Sequence, residues 1–174
     1  IHADLSLHIP DFRAGERTFQ LLTQVAGRAG RGDVEGEVFV QSFTPFHPAI
    51  QYARRHDYIG FYEQEIEFRQ ELSYPPVSRV ALLTLRGRSE DRVRFFADHL
   101  RKEMDKLARD LGDTVVAGPA PAPLLRAENF YRYQVMMRTL RMSALGHKLS
   151  TKRETLQIPD DIRLVIDIDP MTLS

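Results

Sequence analysis

"VALLTLRGRSEDRVRFFADHLRKEMDKLARDLG", from Val80 to Gly112, carries two periodicities in succession. The run "VSRVALLTLRG" over 77–87 is mostly apolar and reads as a strand. After Ser89, a candidate helix cap, Val93, Phe96, Ala97, Leu100, Met104, Leu107, Ala108 and Leu111 recur at i, i+3, i+4 and i+7. That spacing predicts a long helix with one apolar face, and Gly112 stands where a left-handed C′ residue ends it.

Toward the C-terminus, "TVVAG" (114–118) reads as a short strand and "PAPAPLLRAENFYR" (119–132) as a proline-rich loop. "YQVMMRTL" (133–140) is a further strand. "RMSALGHKLSTKRETL" (141–156) is a helix with Met142, Leu145, Leu149 and Leu156 on one side. In "IRLVIDIDP" (162–170), Leu164, Ile166 and Ile168 alternate as a final strand. The order βαββαβ predicts an α+β, ferredoxin-like domain over 77–174, one antiparallel sheet covered on one face by two helices.

Toward the N-terminus, "SYPP" (73–76) marks a boundary, because the residue before a proline is pushed out of the helical region. Before it, "HPAIQYARRHD" and the aromatic-rich "DYIGFYEQEIEFRQEL" predict two helices, a helical linker over 45–76 that packs between domains. "EVFVQSF" (37–43) and "IHADLSL" (1–7) read as strands, and Glu16 to Arg28 as a helix.

Composition narrows the function. Twenty-four basic and 24 acidic side chains give a net charge of zero, which excludes a globally basic, histone-like binder but not a local patch. Without cysteine the chain makes no disulfide and no thiolate metal site, and its six histidines form no HExxH or HxxxH pair. No metal ligand set is expected. No run approaches the length of a membrane span, so a soluble, intracellular protein is expected. The opening residues look like a strand cut in mid-run, and the chain reads as a C-terminal fragment.

One helix departs from local stability. "QLLTQVAGRAGRG" (Gln20–Gly32) places Gly27 and Gly30 inside a helix expected to bury Leu21, Leu22, Val25 and Ala29. A helical glycine costs roughly 1 kcal/mol against alanine. At about 100° per residue, Gln24, Arg28 and Arg31 share one face. Two glycines beside two arginine forks leave room for a polyanion or a second domain. The bland alternative is a solvated face whose arginines pair with acids.

"QVAGRAGR" resembles motif VI of superfamily-two helicases. The longer run "ADLSLHIPDFRAGERTFQLLTQVAGRAGRG", with "GEVFVQSFTPFHPAI", "YEQEIEFRQELSYPP", "GPAPAPLLRAENFYRYQ" and "IDIDP", resembles the bacterial replication-restart helicases of the PriA, or primosomal protein N′, family. The resemblance implies an ATP-driven 3′-to-5′ DNA helicase of the replication-restart primosome. It makes residues 1–44 the end of a second, RecA-like helicase lobe. Carried over by position, Arg31 would be the arginine finger, with Arg28 beside it. Gln24, Gly27 and Gly30 would line the nucleotide. An arginine finger is worth roughly 10³–10⁵ in rate.

ATP and magnesium would act in the full-length protein, because the chain has no GxxxxGK[ST] loop and no DExH box. The family's zinc would lie upstream. Implied partners are forked, single-stranded or duplex DNA, the single-stranded DNA-binding protein and other primosome proteins; no membrane is implied. The localisation would be cytoplasmic and nucleoid-associated.

A second cluster lies in the C-terminal domain, which in this family contributes to DNA and partner binding. From 121 to 155 the chain has seven Lys or Arg against two Glu. Arg126, Arg132 and Arg138 interleave with Tyr131 and its aromatic neighbours, a pairing suited to phosphate contacts with base stacking. A strand with its aromatics in the core explains the same pattern equally well. Asp167 and Asp169 read as solvated residues or as ion-pair partners of the basic loop. The reading that competes with the helicase is a stand-alone, non-catalytic ferredoxin-like module that docks DNA or protein.

Overall fold

The computed structural model describes residues 3–29 and 37–173. The chain divides into two compact units, 1–72 and 73–174.

Among its described residues the first unit holds four helices: α1 (Asp4–Leu7), α2 (Ala14–Ala29), α3 (Pro48–Arg54) and α4 (Tyr58–Glu71). Phe19, Leu22, Ala49, Ile50, Ala53 and Phe61 form its core, together with Ala3. Helices α3 and α4 therefore share one core with α2. Local chemistry sets their starts. The His47 Nδ1 accepts from the Ala49 amide at 3.2 Å with Pro48 at the first helical position, and the Asp57 carboxylate accepts from the Gly60 amide at 2.9 Å. Arg69 of α4 is buried and reaches Glu65 and Glu16, each at 2.9 Å, which ties α4 to α2.

Two expected strands are absent among the described residues. Residues 4–7 are helical, and of 37–43 only Gln41 makes a bridge, its carbonyl accepting from the Ala3 amide at 3.2 Å. The cause is the buried Asp4 side chain. It accepts from Ser42 Oγ at 2.8 Å, the Phe43 amide at 3.0 Å and Thr44 Oγ1 at 3.0 Å, and so holds 42–44 by side-chain bonds that compete with a ladder. Leu21, expected in the core, is exposed; the buried stripe of α2 is Ala14, Thr18, Phe19 and Leu22.

The second unit runs β1 (Arg79–Gly87), α5 (Glu90–Leu111), β2 (Val115–Ala127), β3 (Phe130–Thr139), α6 (Met142–Thr155) and β4 (Ile162–Ile168). The four strands form one sheet, ordered β2-β3-β1-β4, with every neighbouring pair antiparallel. Ala81, Leu83 and Leu85 of β1 and Tyr133, Val135 and Met137 of β3 face both helices in one core. That core takes the apolar stripe of α5 and Met142, Leu145 and Leu149 of α6. Gly112 ends α5 with φ of +77°, the conformation its position required, whereas Ser89 makes no side-chain cap bond.

The proline-rich segment is strand, not loop. β2 continues to Ala127, with its register against β3 shifting between Ala117 and Ala120 and again between Pro121 and Arg126. Proline is tolerated here because β2 is outermost and pairs on one side only. No helix among the described residues is long and apolar enough to cross a membrane.

Candidate functional site

On α2, Gln24, Gly27 and Arg28 are exposed, on a face separate from the buried Phe19 and Leu22. A Cβ added at Gly27 would meet nothing within 4 Å, so packing inside this unit does not require the glycine. Gly30 and Arg31 lie outside the described residues.

In the second unit the basic segment does not form one surface. Arg141 pairs with Asp113 at 3.1 Å, Lys148 with Asp110 at 3.3 Å, and Lys152 with Glu103. Hydrogen bonds from Lys106 and Lys152 hold the Glu103 carboxyl down at about 2, far below its ordinary 4.5. These cations of α6 and its approach are matched by acids in or just after α5.

The strand arginines are also separated. Arg126 lies over the Tyr131 ring at 5.3 Å and donates to Asn129 Oδ1 at 3.0 Å. Arg132 donates twice to the Leu124 carbonyl, at 2.9 and 2.6 Å. Arg138, six residues further along β3 and thus about 20 Å away, lies over the Tyr74 ring at 4.5 Å. Side chains alternate along a strand, so Tyr131 lies on the helix side with Tyr133, while Arg132 and Arg138 lie on the face away from the helices, which is open around Arg163 and Val165 and closed around Val80 and Leu82. Tyr133 belongs to the core, with its hydroxyl on Glu90 Oε1 at 3.2 Å; burial and that carboxylate push its ionisation up.

The open face holds an arrangement that the linear sequence hid. In the sheet register Arg86 of β1 stands opposite both Arg132 of β3 and Arg163 of β4. Three arginines thus form a row across three strands. The next row on that face is Gln134, Thr84 and Val165, with Gln134 Nε2 donating to Thr84 Oγ1 at 3.4 Å. Phe130 sits beside the row, its ring 5.3 Å from the Arg86 guanidinium and 5.8 Å from that of Arg88. Among the described residues no carboxylate pairs with Arg86, Arg88, Arg132 or Arg163. These residues are 86, 88, 132 and 163 in the chain, and only strand pairing gathers them; alternation within "LTLRGR" and "IRLVID" was the available signal.

Asp169 pairs with Arg79 on β1, not with the basic segment, and also accepts from the Val80 amide at 3.3 Å. Asp167 stands opposite Leu82 on the open face. Among the described residues no group of three or more His, Asp or Glu is placed to hold a metal ion.

Residues 70–171, the two-layer unit with a short lead-in, match the family model described as the primosomal protein N C-terminal domain. The chain belongs to that family. Along nearly its whole length it is also similar to proteins named replication restart protein PriA. It is 42% identical to that of Bacillus subtilis, over 98% of this chain and 21% of the relative. The protein of a Synechocystis species is 38% identical, over 99% and 20%, and that of Chlamydia pneumoniae 35% identical, over 99% and 23%. The chain thus spans about a fifth of the length of these curated relatives.

Proposed function

We propose that this chain acts as the C-terminal part of an ATP-dependent 3′-to-5′ DNA helicase of replication restart, contributing motif VI and a domain that contacts DNA and primosome partners. The observation that carries the proposal is the face of α2. Gln24, Gly27 and Arg28 stand exposed together, opposite the residues that build the core, and Gly27 has open space before it. A glycine that no internal packing demands is explained by something that must approach the helix from outside.

In this reading Arg31 carries positive charge to the γ-phosphate of ATP, with Arg28 beside it and Gln24, Gly27 and Gly30 along the nucleotide. Bound ATP with magnesium would supply the phosphoryl chemistry; the chain's own part is the arginine fork, fixed in charge and matched to phosphate oxygens. The zinc of the family would be held upstream by cysteines, a residue this chain lacks. For the second unit, the βαββαβ order and the β2-β3-β1-β4 sheet support a ferredoxin-like assignment. Arg126, Arg132, Arg138 and Tyr131 are its proposed DNA contacts, and the single-stranded DNA-binding protein a proposed partner. The reading of residues 1–44 as the end of a RecA-like lobe rests on the motif.

The test is made in the intact parent protein. Arg31→Ala is expected to abolish ATP-driven unwinding while DNA binding survives. DNA-stimulated ATP hydrolysis at the normal rate in that variant would remove Arg31 from the finger role.

A further inference from the structure

Like charges set directly opposite one another across a sheet destabilise it. Arg86 has such a neighbour on each side, Arg132 and Arg163. Strands lie about 4.8 Å apart, so the three Cα atoms span about 10 Å. Of the nearby acids, Asp161 is paired with Arg92 at 2.8 Å and Asp169 with Arg79, while Asp167, on the same face two rows along β4 from Arg163, makes no ion pair with the row. A chain with no net charge has therefore gathered three forks, and Arg88 behind them, with no carboxylate among the described residues in an ion pair with them. The Arg86 and Arg88 guanidiniums lie over the Phe130 ring, and the Leu124 carbonyl accepts from Arg132. Arg86 and Arg132 are thus positioned before any ligand arrives.

We infer that the row Arg132–Arg86–Arg163 on the open sheet face is a binding site for single-stranded nucleic acid, whose sugar–phosphate backbone crosses the strands along the row. The inference rests on the nucleic-acid reading above and adds the place and the form of the ligand. What selects a single strand is the second row. Gln134, Thr84 and Val165 are uncharged, two with hydrogen-bonding groups and one apolar, and lie immediately beside the forks. A single strand puts phosphates on one side of its backbone and free base faces and edges on the other, which matches one charged row and one neutral row. A duplex turns its bases inward and would leave the neutral row without a counterpart. An acidic peptide would satisfy the forks and leave that row equally idle.

The experiment uses the full 174-residue chain and fluorescence anisotropy with three probes: a short labelled mixed-sequence single strand, the duplex of the same sequence, and a poly-glutamate peptide. Arg86→Ala with Arg163→Ala is expected to weaken single-strand binding about tenfold or more. The same pair should lower the log–log salt slope by about 1.4, two contacts at about 0.7 each. Arg94→Ala with Arg109→Ala, which removes equal charge from the exposed side of α5, should change affinity less than about twofold. The melting temperature of the row variant should not fall, since a repulsion has been removed. Unchanged affinity in the row variant, an equal loss in the α5 variant, tighter binding of the duplex, or tighter binding of poly-glutamate would each overturn the site while leaving other surfaces for DNA. A chain that binds neither form of DNA overturns the nucleic-acid reading of this domain as well.

Discussion

Phe19 of α2 and Phe61 of α4 lie face to face, ring centroids 4.4 Å apart and planes 3° from parallel. Both are buried, and around them the unit has few other large apolar side chains in its core. The stack joins the helix that carries the glycine–arginine motif to the last helix of its unit.

Phe61→Ala should therefore release α2 from α4. Truncating a buried phenylalanine costs about 3–5 kcal/mol. Amide hydrogen exchange should show protection falling throughout α2, α3 and α4, while the amides of β1 and β3 keep theirs. Equal loss in both units would mean that the two do not open independently.

A pH dependence follows from His47. Burial lowers the affinity of its ring for a proton, against the opposing pull of Glu65, so the folded group titrates below its ordinary 6.5. Only the neutral Nδ1 can accept from the Ala49 amide. The unfolded chain then binds more protons, and stability rises with pH. The contribution is full above about 6.5 and is lost as pH falls below it. The α3 amides should exchange faster at pH 5 than the intrinsic pH effect accounts for, and His47→Asn, which can cap without titrating, should remove the excess.

Two carboxylates set the acid limit of the two units. Burial works to raise Asp4, but the bonds from Ser42, Phe43 and Thr44 outweigh it and hold the group at about 2 against 3.8. Glu103 is held at about 2 against 4.5. Both shifts are downward, so the stabilisation is complete above the unfolded values and disappears as pH falls through about 2. Far-UV circular dichroism of Asp4→Asn and Glu103→Gln variants should each show one unit weakened at neutral pH and less sensitive to acid below pH 4.5.

Glycines at two positions predict opposite outcomes. A Cβ at Gly87 would come 2.8 Å from Val93 Cγ2 and 3.0 Å from the Asp161 carbonyl, so Gly87→Ala should destabilise the second unit by about 1–3 kcal/mol, read as a lower thermal midpoint. A Cβ at Gly27 meets nothing, so Gly27→Ala should stabilise α2 by up to about 1 kcal/mol. Under the proposed function the same change lowers ATP hydrolysis in the parent. A variant that is both more stable and fully active would place the nucleotide elsewhere.

Where periodicity was long, the linear chain was enough to read the fold: α5 and its end at Gly112, the alternation of β4, and the order of strands and helices in the second unit. Short segments failed. Residues 4–7 and 37–43 alternate as strands do, but one buried aspartate with three donors decided their shape. The proline-rich stretch failed for the opposite reason, because outermost position in a sheet is a tertiary fact that no local pattern carries. Helical spacing put Gln24 and Arg28 on one face of α2, and the structure leaves both exposed. The arginine row was not legible, since Arg86 and Arg163 are 77 positions apart. Counting charge over 121–155 could not see the acids in or just after α5 that pair with Arg141, Lys148 and Lys152.

The alternating prolines of β2 have a consequence for how the domain behaves at high concentration. Pro119, Pro121 and Pro123 leave three positions of β2 with no amide hydrogen to donate. A proline leaves the ladder intact only where its nitrogen faces away from the sheet. A foreign strand presented to that margin would find successive positions with nothing to donate. An unguarded sheet margin is a template for aggregation and domain swapping. Here the template is interrupted on the β2 side at three alternate positions of the strand.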